Sequence, residues 1–174
     1  MTAIAAARSG GHAWNIGRLW RQKSRAGPAL SERIFAEIDN DVSQIARVTS
    51  LIEQFGARHR LPEGVIFHLK LAFDELLTNI ISYGFVDGRP HKISASVRLD
   101  GDRLQAEIVD DGIAFDPLAA GAVDTELPVE ERGIGGLGIH FVRTVMDEVD
   151  YRRLDGRNCL KMVKHLPPKP AKQG

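Results

Sequence analysis

Two pairs of alternating segments, each joined by an Asp-Gly turn, constrain this chain more than any other feature. "HKISASVRL" and "RLQAEIVD" flank "DGD" at 100–102, and "EVDYRRL" and "NCLKMVKHL" flank "DGR" at 155–157. Alternation with period two puts the apolar side chains on one face of a strand, and Asp-Gly supplies the positive backbone angles of a tight hairpin. Each pair therefore reads as antiparallel neighbours. A further alternating run, "RIFAEID" from Arg33, places one more strand ahead of them.

Helical spacing fills the ground between these strands. Asp39 to His59 repeats Val42, Ile45, Val48/Thr49, Ile52 and Phe55. Pro62 and Glu63 open a second helix whose stripe is Ile66, Leu69, Phe73, Leu76/Leu77 and Ile80, with Gly84 as its stop. Gly138 to Asp147 returns to the same spacing through Ile139, Val142 and Val145/Met146, after a loop over 112–133 rich in glycine, proline and acids. The order is strand, helix, helix, strand, strand, long loop, helix, strand, strand. Grouped helices and consecutive hairpins predict an α+β fold with a mainly antiparallel sheet, not a doubly wound parallel one.

Composition narrows the class. With 174 residues, 43% hydrophobic and 26% charged, the chain suits one globular domain with a substantial core. Its 23 basic and 23 acidic side chains cancel, which gives no general attraction to nucleic acid or to an anionic membrane. Charge is uneven along the chain: residues 1–31 hold Arg8, Arg18, Arg21, Lys23 and Arg25 and no acid. That stretch reads as a flexible basic extension, and 167–174, "PPKPAKQG", as a disordered tail. Cys159 is the only cysteine and the six histidines are scattered, so neither a disulfide nor a zinc site is expected. The apolar start "MTAIAAARSG" is too short to span a bilayer and has the wrong charge order for a secretory signal, so the cytoplasm is the expected location.

Three stretches carry chemistry. "RGIGGLG", Arg132 to Gly138, opens a helix with unobstructed amides and a positive helix terminus, which suits a phosphate. It follows the non-strand run "DTELPVEER", so it is not a Rossmann loop, and the absence of G-K-[ST] excludes a P-loop. In "LAFDELLTNIISYGF", Glu75 and Asn79 stand four apart on one helix face, where a carboxylate could serve as base and an amide oxygen as a magnesium ligand. In "VDDGIAFDP", a strand runs into Asp110-Asp111-Gly112, where a carboxylate can accept from an exocyclic amine and a glycine admits a flat ring. Taken singly, each has a plainer reading: a glycine turn, a solvated polar face and an acidic turn.

Taken together and in this order, the stretches resemble the GHKL, or histidine-kinase-like, ATPase superfamily, and within it the switch-protein type of anti-sigma-factor serine/threonine kinase. The first motif is matched by Glu75, Asn79, Tyr83 and Gly84. The second is matched by Asp110, Gly112, Phe115, Asp116 and Pro117, and the third by Arg132 to Gly138. The resemblance covers roughly residues 32 to 166 and implies one ATPase domain there. It also implies a two-layer α/β sandwich, a mixed and mainly antiparallel sheet covered on one face by helices.

The resemblance implies roles for individual residues. Asn79 would coordinate Mg²⁺ at the ATP phosphates, and Glu75 would be the catalytic residue, as general base or orienting group for the attacking hydroxyl. Asp110 would take the adenine amine over Gly112, with Phe115 beside the nucleotide. Arg132, Gly133, Gly135, Gly136, Leu137 and Gly138 would hold the phosphates, and residues 116–132 would form a lid. Ala114 departs from the pattern, which has glycine there. The implied function is phosphorylation of a small anti-sigma-factor antagonist of the STAS type, with sequestration of a sigma factor in a partner-switching pathway. The alternative is a nucleotide-dependent binding module without phosphotransfer. Dimerisation is left open.

Overall fold

The computed structural model describes residues 33–119 and 136–168, with side chains in the second stretch from 138 onward. The basic extension 1–31, most of the expected lid and all but the first two residues of the tail lie outside these residues.

Five strands form one sheet: β1 (Arg33–Asp39), β2 (Lys92–Asp100), β3 (Arg103–Asp110), β4 (Glu148–Leu154) and β5 (Arg157–His165). Their spatial order is β1-β2-β3-β5-β4, and every described pairing is antiparallel. Both expected hairpins are present. The β4–β5 turn has Asp155 at φ 50° and Gly156 at φ 78°, the paired positive angles of a two-residue turn that follows strand twist. In the β2–β3 turn, Gly101 takes φ 65°.

Three helices accompany the sheet: α1 (Ile45–His59), α2 (Glu63–Tyr83) and α3 (Gly136–Val145). The first helical segment starts later than its apolar spacing suggests. Asp41 accepts from the Ser43 amide at 2.8 Å, and a 3₁₀ turn over Val42–Gln44 precedes the α-helix. Pro62 stands as the N-cap of α2, and Gly84 closes it, its amide donating a hydrogen bond to the Ile80 carbonyl at 2.8 Å.

The helices bury their stripes against one face of the sheet. Ile52 and Phe55 of α1, Leu69, Phe73 and Leu77 of α2, and Val142 of α3 share a core with Ile38, Ile93, Val97, Ile108 and Met162. Truncating a ring such as Phe73, which has no exposed surface, costs about 3–5 kcal/mol in cores of this kind. Between Lys164 at one end of β5 and Asn158 at the other, the core face is apolar. At the second of these ends Asp110 pairs with Asn158, and Asn158 with Arg153, across β3, β5 and β4. This polar end of the core face lies beside the C-terminal end of α2.

Candidate nucleotide site at the polar end of the sheet

Helix α2 touches two of the three motif regions. Its end is bonded to the loop after β3, because the Gly84 carbonyl accepts the Ile113 amide at 2.8 Å. Its middle meets the first turn of α3: a Cβ built on Gly138 would fall on the Glu75 carboxylate, so the bare Cα of Gly138 leaves the room that this side chain occupies. Glu75 and Asn79 are both half-buried, on the α2 face expected from their four-residue spacing. The fold thus brings Glu75 to the N-terminal turn of α3, and Gly84 to Gly112.

Asp110 sits at the end of β3 with only 4% of its surface exposed. Its Oδ1 accepts from the Gly112 amide at 2.9 Å and from Asn158 Nδ2 at 2.8 Å. Both of these bonds use one oxygen, so among the described residues Oδ2 is left to an incoming donor. Burial pushes the carboxyl above the usual range, and the bonds from Asn158 and Gly112 oppose it; Asp111 adds to the rise and Arg153 works against it.

Asn158 is the hub that motif reading missed. Its Nδ2 also donates to the Ile113 carbonyl at 2.9 Å, while its Oδ1 accepts from Tyr151 Oη at 2.8 Å and from Arg153 at 2.6 Å. Arg153 also donates to the Gly112 carbonyl at 3.1 Å. The network fixes the Asp110 rotamer and both flanks of the 112–113 peptide. The Asp-Gly turn marks the β4–β5 hairpin that carries Arg153 and Asn158, but it is the non-local pairing of β5 with β3 that sets Asn158 beside Asp110.

The other expected site residues divide in two. Gly112 is buried, and a Cβ there would meet the Gly84 carbonyl and Asp110 Oδ1, so the close approach of two backbones requires its bare Cα. Phe115 is exposed, as is Ala114. Gly136, Leu137 and Gly138 belong to the first turn of α3, two residues earlier than spacing alone placed its start. Arg132, Gly133 and Gly135 lie outside the described residues.

The donor set fits a nucleotide with its magnesium ion. Among the described residues no three His, Cys, Asp or Glu side chains gather to hold a metal. Mg²⁺ does not need such a cage, since it commonly takes one or two protein oxygens and completes its shell with phosphates and water. Asn79 could supply one such oxygen. Gly112 without a Cβ, beside a carboxylate with an uncommitted oxygen, suits a planar amine-bearing ring.

A profile of histidine kinase-like ATPase domains matches residues 38–164. The chain belongs to that family. Within this ATPase family, it is 32% identical over 117 residues to the serine/threonine-protein kinase BtrW of Bordetella bronchiseptica, covering 67% of this chain and 82% of that protein. It is 30% identical over 102 residues to the serine-protein kinase RsbW of Halalkalibacterium halodurans, covering 56% of this chain and 61% of the relative. Among solved structures, the RsbU and RsbW domains of a Mycobacterium tuberculosis protein superpose with a TM-score of 0.58 at 13% identity, over 78% of this chain and 32% of that one. That likeness supports the fold alone. The family and the serine-kinase type of relative agree with the resemblance carried by the three motifs. No described helix is long and apolar enough to cross a membrane.

Proposed function

We propose that this chain is an ATP-dependent protein serine/threonine kinase, acting on a small STAS-domain antagonist and binding a sigma factor in a partner-switching pathway of the cytoplasm. The observation that carries the nucleotide reading is the Asp110 carboxylate, pinned through Oδ1 with Oδ2 uncommitted, beside a glycine whose Cβ could not be accommodated. Names of the relatives supply the reaction class, and Glu75 supplies a carboxylate of this chain suited to it.

In this reading Asp110 accepts from the adenine amine, and the turn of Gly136 to Gly138 presents amides to the phosphates together with Arg132, Gly133 and Gly135. Asn79 would hold Mg²⁺, which would supply charge neutralisation at the phosphate oxygens. Glu75 accepts the proton of the attacking serine or threonine hydroxyl. A bond forms between that oxygen and the γ-phosphorus, the bond to the β,γ-bridging oxygen breaks, and ADP leaves with the electron pair. Positioning and charge neutralisation carry most of the rate in such transfers. The deciding experiment mixes the protein with ATP-Mg²⁺ and STAS-domain proteins encoded nearby in its genome, and reads serine and threonine phosphorylation by mass spectrometry. Tight ATP binding with no phosphorylated partner would support a nucleotide-dependent binding module instead.

A further inference from the structure

His91, the last residue before β2, is absent from the motifs, yet its ring joins two segments at the edge of the site. Nε2 lies 2.9 Å from Asp87 Oδ1, and Nδ1 lies 3.0 Å from Asp111 Oδ1. The ring stacks on Phe85, with centroids 4.4 Å apart and planes at 17°. Its backbone is fixed as well: the His91 amide donates to Asn40 Oδ1 at 3.1 Å, and the Asn40 amide donates to the His91 carbonyl at 3.2 Å. The ring therefore has little freedom to leave either carboxylate.

A neutral imidazole carries one N–H and can donate to only one of these acceptors, whereas the imidazolium donates to both. The bond from Asp87 is the main cause raising the ring's proton affinity; burial opposes it, and Asp111 adds to it. The remaining charged groups nearby are partnered. Arg89 approaches Asp87 with Nε 4.0 Å from Oδ2, and Lys92 pairs with Asp39 at 2.6 Å at the adjoining strand end. Phe85 and Asn40 carry no charge.

Location gives this bridge a role. Asp111 directly follows Asp110, and the segment that ends in His91 begins at Gly84, whose carbonyl holds Ile113. Besides its bonds to Asn158 and Arg153, the loop bearing Asp110 and Gly112 is thus held by Gly84 on one side and by His91 on the other. The geometry points to His91 as a positioning residue for the nucleotide site: its imidazolium, bridging Asp87 and Asp111, holds the 110–113 loop ready for adenine, and nucleotide affinity falls when the ring loses its proton. This rests on the nucleotide reading above. Because the folded loop favours the protonated ring, affinity is full on the acid side of the ring's elevated titration range, while the aspartates remain ionised, and declines as pH rises through that range. By linkage, a nucleotide whose binding is tightened by this proton must raise the proton affinity of His91 in turn.

The test uses ADP, so that no turnover intervenes. Calorimetry from about pH 6 to about pH 9 on the parent, His91→Gln and Asp111→Asn proteins gives affinities across the range where a histidine titrates. NMR of the His91 ring, with and without ADP, reads the linkage in the unaltered protein. The parent should lose roughly fivefold in affinity across that range, at the lower end of site-to-site coupling. Both variants should show only the weak pH dependence of the ADP phosphate itself, and the His91 titration should move upward when ADP binds. A parent whose pH profile matches that of His91→Gln, or a His91 titration that ADP leaves in place, overturns the proposal. A parent that binds no adenine nucleotide at any pH overturns the nucleotide reading beneath it.

Discussion

The carbonyl of Gly84 lies under Gly112 and accepts the amide of the next residue, Ile113, at 2.8 Å. One peptide thus joins the end of the helix bearing Glu75 and Asn79 to the loop bearing Asp110, so the adenine and phosphate ends of the proposed site share a support.

That contact predicts a sharp effect for Gly112→Ala. The added methyl would lie 2.5 Å from the Gly84 carbonyl oxygen and 2.9 Å from Asp110 Oδ1, both held by other bonds. Forced overpacking of this kind costs about 1–3 kcal/mol. Urea denaturation should show that loss together with weaker ATP binding; unchanged stability would mean that the two backbones are not in contact.

Asp110 and Asn158 predict opposite outcomes for stability and binding. The folded-state proton affinity of Asp110 is raised, so its ionised form is a burden on the fold that grows as pH rises from the ordinary carboxylate range through the raised one. Asp110→Asn should remove that burden, lifting the melting temperature of the ligand-free protein at neutral pH while abolishing most adenine-nucleotide affinity. Asn158→Ala should lower both, because it takes one of two bonds from the buried Asp110 carboxylate and the partner of the Tyr151 hydroxyl, a loss of about 1–3 kcal/mol. Melting curves and calorimetry on the two variants separate these effects. An Asp110→Asn protein that melts lower than its parent would contradict the account.

How far the sequence discloses this site depends on the range of the signal. Strands and helices follow from local periodicity and Asp-Gly turns, which are properties of neighbouring residues, and their positions match the structure closely. Gln105 and Glu107 show the limit: alternation marks them as outward-facing, yet both are buried because β3 lies mid-sheet, between β2 and β5. Likewise Asn158 and Arg153 stand far from Asp110 in sequence, and only the β3–β5 and β4–β5 registers bring them together. The late start of α1 and the early start of α3 turn on a 3₁₀ turn and on glycines, neither of which apolar spacing reports.

Acid sensitivity should centre on Asp147, at the junction of α3 and β4. Its carboxylate accepts from the His165 amide at 2.6 Å and from Lys164 Nζ at 2.8 Å; these bonds, the first most strongly, hold its proton affinity below the usual range. A depressed folded-state value gives stability that is fully present above the ordinary carboxylate range and is lost as pH falls through the depressed one. Asp147→Asn should therefore cost stability at neutral pH and little in strong acid. Its carboxylate is partly exposed, and screening keeps the ionic share to about 1 kcal/mol or less. Equal losses at both pH values, by urea denaturation, would assign the effect to packing instead.

The closest test of the proposed catalytic arrangement is a double-mutant cycle between Glu75 and Gly138. A methyl on Gly138 would occupy the position of the Glu75 carboxylate, so Gly138→Ala must displace that side chain. The carboxylate is the far end of a flexible chain and can turn aside at little cost, so the single variant should keep nearly the parent's stability and its ATP binding while suppressing phosphotransfer. Glu75→Ala alone should leave ATP binding in place and remove phosphotransfer. If the methyl acts only by moving the carboxylate, the two substitutions are coupled, and the double variant should lose no more phosphotransfer than Glu75→Ala alone. Multiplied losses of activity would show that Gly138→Ala acts elsewhere, and phosphotransfer kept in Glu75→Ala would remove Glu75 from the mechanism.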